Sequence, residues 1–307
     1  MSPTSVPTLG AVLEHDRLVV RATGGARATA HPEGAEAALA GYADWFAGQV
    51  GAAALVAPPT VWCSWYRYFE QVSSTDIMEN VKAFDANDLP VDVVQIDDGW
   101  SRGLGEGLLP ADGFGSLPAL VDGIRGSGRR AGIWLAPFLV GMQSTLAVQH
   151  PDWLVGPAGR NWDQDLAGLD LTHPGIRDLL SETFRGLVDL GVSYLKLDFL
   201  YGGAVPGRRH EHLSGTEAYR SGLAPVRETV GPDVYLVGCG APLLSSVGLV
   251  DAMRVSPDTS TRAVRTVPRL AWAHAVGCAS LAAGPPPGER PRLPVRATVL
   301  LRARAMG

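Results

Sequence analysis

Six short apolar runs, at residues 61–66, 91–98, 131–138, 192–200, 234–239 and 251–255, are spaced along the chain with longer amphipathic segments between most of them. The run Val93-Val94-Gln95-Ile96 is apolar on both faces of an extended strand. Such strands need cover on both faces, which specifies a parallel sheet flanked by helices. Helices are expected at 74–86, 117–126, 174–190 and 216–230. In the third of these, Ile176, Leu179, Leu180, Phe184, Leu187 and Val188 fall on one side. The alternation fits either a β/α barrel or a doubly wound sheet. No Gly-x-Gly-x-x-Gly follows the first run and no P-loop occurs. The barrel is therefore favoured, with its active site at the carboxyl ends of the strands.

The rest of the chain is less regular. Residues 1–58 are rich in Ala and Gly, with one strand expected at 18–20 and one helix at 36–50. Pro58-Pro59 marks a boundary. After Gly284-Pro285-Pro286-Pro287-Gly288 the pattern breaks, and the segment from Pro268 to Gly307 is rich in Arg, Ala and Pro.

Bulk properties exclude several classes. The net charge of −5 gives no reason to expect nucleic acid or an anionic membrane as partner. No apolar stretch reaches the length of a membrane span. Three cysteines are too few for a disulfide framework. With no basic-then-apolar leader at the start, they point to a reducing, cytoplasmic location. Seven histidines lack ligand spacing, so no metal is expected.

Three of the apolar runs end on carboxylates: Asp97-Asp98, Asp198 and Asp258. Glycoside hydrolysis needs one carboxylate as nucleophile or base and one carboxylic acid to protonate the leaving oxygen, about 5–9 Å apart. Asp198 and Asp258 are the candidates for that pair. Lys196 shares a face with Asp198, because strand side chains alternate, and its charge favours the ionised carboxylate. Arg254 stands in the same relation to Asp258 if the strand persists. Helix capping or simple ion pairing is the competing reading of these residues. Trp65, Trp100 and Trp134 lie near strand ends, where aromatic faces pack on sugar rings. Core filling is the plainer role for any one of them. Cys239, in Gly238-Cys239-Gly240, is either a thiol nucleophile or, as favoured here, a small pocket wall.

Seven segments together resemble glycoside hydrolase family 36, the α-galactosidases (melibiases) and the related raffinose-synthase-like enzymes. They are Trp62-Cys63-Ser64-Trp65-Tyr66, Gln95-Ile96-Asp97-Asp98-Gly99-Trp100, Gly132-Ile133-Trp134-Leu135-Ala136-Pro137-Phe138, Leu169-Asp170-Leu171-Thr172-His173-Pro174, Leu195-Lys196-Leu197-Asp198-Phe199, Gly238-Cys239-Gly240-Ala241-Pro242 and Met253-Arg254-Val255-Ser256-Pro257-Asp258. All occur in family order. The resemblance implies a (β/α)8 TIM barrel, of which about six β/α units are recognisable, and a retaining double displacement on terminal α-galactosides. Asp198 would be the nucleophile and Asp258 the acid/base. Asp97 and Asp98 would bind galactose hydroxyls. Trp65, Tyr66, Trp134, Lys196, Cys239 and Arg254 would line the sugar subsite. The implied partner is a small α-galactoside of the melibiose or raffinose type, with no cofactor. A raffinose-type transglycosidase and an inactive sugar-binding remnant are the alternatives.

The resemblance also divides the chain. Residues 1–58 read as the remnant of an amino-terminal β-domain plus a linker helix, 59–262 as the catalytic barrel, and 263–307 as an atypical tail. The family's Trp-x-Asn-Asp-Pro-Asp-Cys pattern is absent. Codons for Gly288 to Pro294, read one base over, permit x-Ser-Asp-Pro-Asp-Cys. The tail is therefore expected to be out of frame, the barrel incomplete, and the isolated chain prone to aggregate at its open sheet edges.

Overall fold

The computed structural model describes residues 9–14, 17–22, 35–53 and 56–255, with side chains from residue 37 onward except Ala38. Asp258 and the whole of 263–307 lie outside the described residues, as do most of 1–34.

Strands β1 (Leu9–Glu14) and β2 (Arg17–Ala22) form an antiparallel pair, where a single strand was expected. Helix α1 (Ala35–Val50) follows. The main sheet then begins with β3 (Val61–Cys63), β4 (Val93–Ile96) and β5 (Arg130–Leu135). Between them lie α2 (Trp65–Tyr68), α3 (Ser74–Ala86) and α4 (Leu117–Gly126). Next come β6 (Leu139–Gly141), α5 (Thr145–Gln149), β7 (Leu154–Asn161) and β8 (Gln164–Leu169), an insertion that the sequence pattern did not announce. The main sheet resumes through α6 (Pro174–Asp189), β9 (Val192–Leu197), α7 (Gly215–Val230), β10 (Tyr235–Cys239), α8 (Leu243–Ser246) and β11 (Ala252–Arg254).

The main sheet has the order β11-β10-β9-β5-β4-β3, and every neighbouring pair is parallel. This is the curled parallel sheet of an incomplete TIM barrel. The inserted sheet, β6-β8-β7, is antiparallel.

Alternation along the strands sorts residues between two faces. Val94, Ile96, Ile133, Leu195, Leu197 and Leu236 point outward and are essentially buried. They pack with Ile77 and Val81 of α3, Val121 and Ile124 of α4, Phe184 and Leu187 of α6, and Leu223 and Val226 of α7. Each such fully buried aliphatic contributes about 1.5–3 kcal/mol of transfer free energy. The inner face carries Val93, Tyr194 and Tyr235 at one level, with the two tyrosine rings stacked 5.7 Å apart. Further along the same face come Cys63, Gln95, Trp134, Lys196, Cys239 and Arg254. The inner face thus carries Val93 and the tyrosine rings, with Arg130 beside Val93, toward its amino-terminal end and becomes polar toward its carboxyl end.

Gly132 makes that first level possible. A Cβ there would lie 2.9 Å from Tyr194 Cδ1 and 3.0 Å from Val93 Cγ1. Local signals set the helix starts. Ser73 and Asp76 form a reciprocal capping box at α3, and Ser214 and Glu217 do the same at α7. Pro174 occupies the first turn of α6, behind the His173 cap.

All six strands are shorter than the apolar runs that encode them, and two of the stops have a visible backbone cause. β3 stops at Cys63 because Ser64 turns into the right-handed helical region (φ −68°, ψ −23°) and starts α2. β9 stops at Leu197, and Phe199 adopts a left-handed conformation (φ 50°, ψ 33°). Both breaks fall at the carboxyl edge of the sheet, where turning the chain presents side chains to the mouth.

Candidate functional site

Asp97 follows β4 and is 1% exposed. Its Oδ2 accepts from Lys196 Nζ at 2.8 Å, from Cys63 Sγ at 3.2 Å and from Gln95 Nε2. Its Oδ1 accepts from the Asp98 backbone N–H at 3.0 Å, and its own N–H donates to Ser64 Oγ at 2.9 Å. Three of these donors crowd Oδ2, and one occupies Oδ1. Among the described residues this is the most fully bound acidic group of the site.

Asp198 follows β9, and its backbone N–H donates to Leu135 O at 2.7 Å. Its Oδ1 accepts from Phe199 N–H at 2.8 Å and its Oδ2 from Trp134 Nε1 at 3.2 Å. Two cations flank it: Lys196 Nζ lies 3.8 Å from Oδ2, and Arg254 Nη2 lies 3.7 Å from Oδ1. Lys196 was expected beside Asp198. It is there, but its shorter contact is with Asp97, across β5. Burial works against the Lys196 charge, yet the Asp97 carboxylate, with help from Asp198, raises its pKa well above the ordinary lysine value. The ammonium is therefore permanent at any physiological pH, and it joins the two carboxylates.

Asp98 is arranged differently. Its Oδ1 accepts from Gly99 N–H and its Oδ2 from Trp162 Nε1, both at 2.8 Å. Burial raises its pKa, and the Trp162 bond opposes that shift. Gly99 is required behind it: φ is 101°, and a Cβ would sit 2.6 Å from Glu70 O.

Burial keeps the two described thiols neutral. Burial pushes Cys239 up to about 11, with the Asp198 carboxylate adding to the effect and Arg254 opposing it. Burial and then Asp97 push Cys63 up to about 12. A neutral, buried thiol is no nucleophile, so Cys239 is a pocket wall beside Asp198.

The structure therefore brings together Asp97, Asp98, Trp134, Lys196, Asp198, Cys239 and Arg254. Trp65 and Tyr66 stand on α2, just past the end of β3. Trp65 packs edge-on against Phe69 at 5.2 Å, and Tyr66 is 45% exposed. Trp100 is a core residue, 2% exposed, whose indole donates to Trp134 O at 2.8 Å and so braces the backbone under the site. Three further residues had not been singled out. Gln95 was readable from the two-residue alternation that leads to Asp97, whereas Cys63 joins it only through the β3–β4 register. Trp162 carried only the signal of an aromatic amid turn-forming residues. Among the described residues, no group of three or more His, Cys, Asp or Glu is placed to hold a metal. No described helix is long and apolar enough to cross a membrane.

Two cations beside two carboxylates, aromatic rings and neutral thiols thus gather at the carboxyl edge of the sheet. Comparison with known proteins points to a family. A family model described as Melibiase matches residues 57–219. A probable alpha-galactosidase C from Aspergillus flavus is 28% identical over 177 residues, covering 50% of this chain and 23% of that protein. The bifunctional alpha-galactosidase/sucrose kinase AgaSK of Mediterraneibacter gnavus is 26% identical over 200 residues, covering 59% of this chain and 20% of that protein. Among solved structures, the alpha-galactosidase TtGalA of Thermus thermophilus, in complex with p-nitrophenyl α-D-galactopyranoside, aligns with a TM-score of 0.65 at 37% identity, covering 73% of this chain and 46% of that one. Its stachyose complex aligns with a TM-score of 0.67 at 35% identity, covering 79% and 50%. The chain thus spans about a fifth to a quarter of the length of these curated relatives and about half of the Thermus structure.

Proposed function

The chain belongs to the melibiase family, and from that premise we propose that it carries the sugar-binding and nucleophilic half of a retaining α-galactosidase site. The observation that carries the proposal is the setting of Asp198. It sits at the carboxyl end of a barrel strand, nearly buried at 7% exposure, between the Lys196 and Arg254 cations. That setting holds the carboxylate oxygens in place between two cations and largely out of water, as a nucleophile requires.

In the proposed reaction, an Asp198 oxygen attacks the anomeric carbon of a terminal α-galactoside. The glycosidic C–O bond breaks, and the leaving oxygen takes a proton from Asp258. Water then adds to the glycosyl-enzyme, with Asp258 accepting its proton, and galactose leaves with its configuration retained. Trp134 donates to Asp198 and walls the hollow. Lys196 stabilises the carboxylate and ties it to Asp97. A raffinose-type transfer uses the same first step with a sugar hydroxyl in place of water, and product analysis at high acceptor concentration separates the two. A cytoplasmic location is part of the same proposal and rests on the sparse cysteines.

The test is hydrolysis of p-nitrophenyl α-D-galactopyranoside followed by proton NMR. Turnover that is abolished in Asp198→Ala, with α-galactose appearing first, supports the proposal. β-Galactose as the first product, or a folded wild-type sample that binds galactose without turnover, refutes it.

A further inference from the structure

The tip of the β7–β8 hairpin holds a tryptophan in an unfavourable backbone conformation. Trp162 has φ 49° and Asp163 has φ 54°. Two left-handed residues in a two-residue hairpin turn are normally Asn-Gly, because other side chains crowd the backbone there. A bulky residue at positive φ is an outlier, and such outliers cluster where function demands a particular side-chain position. The turn is closed by the Asn161–Gln164 pairing and by Asn161 Oδ1, which accepts from Trp162 N–H at 3.0 Å.

This conformation lays the indole across the site. Nε1 donates to Asp98 Oδ2 at 2.8 Å. The ring meets Trp134 edge-to-face at 6.3 Å and Phe199 at 5.2 Å. Trp134 bonds Asp198 through its indole, and Phe199 bonds it through its backbone N–H. One residue from the inserted sheet thus touches Asp98 and both aromatic neighbours of Asp198.

The two adjacent carboxylates differ in what they have left to offer. Asp97 accepts from four donors, three on Oδ2 and one on Oδ1, which leaves it a single position on Oδ1. Asp98 accepts two, one on each oxygen. A carboxylate has about four acceptor positions, so Asp98 retains one on each oxygen.

We propose that Trp162 is a specificity-determining residue of the sugar subsite. Its indole N–H fixes the plane of the Asp98 carboxylate, leaving one acceptor position on each oxygen for a pair of glycone hydroxyls, while its ring closes that side of the hollow. The inference rests on the galactoside reading above. It adds a residue from outside the barrel strands and assigns hydroxyl recognition to Asp98 in preference to Asp97. A site built to bond hydroxyls discriminates strongly against analogues that lack them.

The test is binding, which needs no turnover. Calorimetry with galactose and its 2-, 3-, 4- and 6-deoxy analogues is compared for the wild type, Trp162→Phe, Trp162→Ala and Asp98→Asn. Trp162→Phe keeps a ring and loses the N–H. It is expected to weaken galactose binding about tenfold, the scale of one hydrogen bond to a charged group. It is also expected to lose discrimination only against those deoxy sugars to which Asp98→Asn has become indifferent. Trp162→Ala is expected to lose this and the ring contact as well. Equal weakening toward every analogue, or no weakening, overturns the proposal, since a purely structural tryptophan has no preference among hydroxyls. A folded wild type that binds no galactose overturns the galactoside reading itself and this inference with it. If a variant is poorly folded, the series is repeated on Asp163→Gly, which relieves one left-handed residue and is expected to leave galactose affinity unchanged.

Discussion

Replacing Lys196 by methionine removes the cation that anchors the site while keeping a stem of similar length. In the native structure Nζ lies 2.8 Å from Asp97 Oδ2, and the two side chains are 13% and 2% exposed. After substitution, the Asp97 carboxylate keeps Gln95, Cys63 and the Asp98 N–H as neutral donors but has no counter-charge. Breaking one side of a buried pair costs about 3–5 kcal/mol. The slight exposure of Lys196 and the three remaining donors place this case near 3 kcal/mol on that scale. For a domain of this size that corresponds to a fall of about 6–12 °C in Tm. Adding Asp97→Asn removes the stranded charge, so the double variant is expected to recover about 2 kcal/mol of the loss. The pH dependence has a definite sign. Lys196 has a folded pKa raised above its unfolded value, so its contribution is complete below the unfolded pKa of about 10.4 and is lost as pH rises toward the folded one. The stability gap between wild type and Lys196→Met is therefore flat from about pH 6 to 9 and shrinks above about pH 10.4. Denaturant titrations of the four proteins of the cycle measure this. A single variant costing under about 1 kcal/mol, as an exposed pair would, refutes the reasoning. So does a double variant no more stable than Lys196→Met.

Trp134→Phe removes the indole donor from Asp198 Oδ2 and is expected to lower kcat/KM on an aryl α-galactoside by about 10–100-fold, read by initial rates. Gly132→Ala forces a methyl against Tyr194 and Val93 and is expected to destabilise the protein by about 1–3 kcal/mol, read as a lowered denaturation midpoint with unchanged m-value. The Cys239 thiol, raised to about 11, is expected to resist iodoacetamide at pH 8 in the folded protein and to react in urea, followed by peptide mass spectrometry. The raised thiols also set an alkaline limit. Above about pH 8.5 the unfolded chain releases thiol protons that the folded one keeps, so stability falls as pH rises toward the folded values of about 11 and 12.

Much of the barrel was legible because its signals are local. Apolar runs of five to nine residues and the apolar side of the segment 174–190 each follow from neighbours in sequence. Carboxylates at the ends of β4 and β9 were visible for the same reason. The insertion was not. β7 reads Leu-Val-Gly-Pro-Ala-Gly-Arg-Asn, with neither alternation nor β-branched enrichment, and its turn uses Trp-Asp where Asn-Gly would have signalled a hairpin. Trp162 therefore had no context that tied it to the site. The chief partner of Lys196 was hidden for another reason. Alternation puts Lys196 and Asp198 on one face, but only the β4-β5-β9 registers show that Asp97 is nearer. Asp258 and the atypical tail lie outside the described residues, so the second carboxylate stands on the family resemblance.

The role of Asp198 is most directly tested by trapping the glycosyl-enzyme. A fluorinated galactosyl fluoride, slow to deglycosylate, is incubated with the protein, which is then digested and sequenced by mass spectrometry. One added fluorogalactosyl group is expected, carried by the peptide containing Asp198 and lost in Asp198→Ala. A label on Asp97, Asp98 or any other residue, or none in a sample that turns over aryl galactoside, contradicts it.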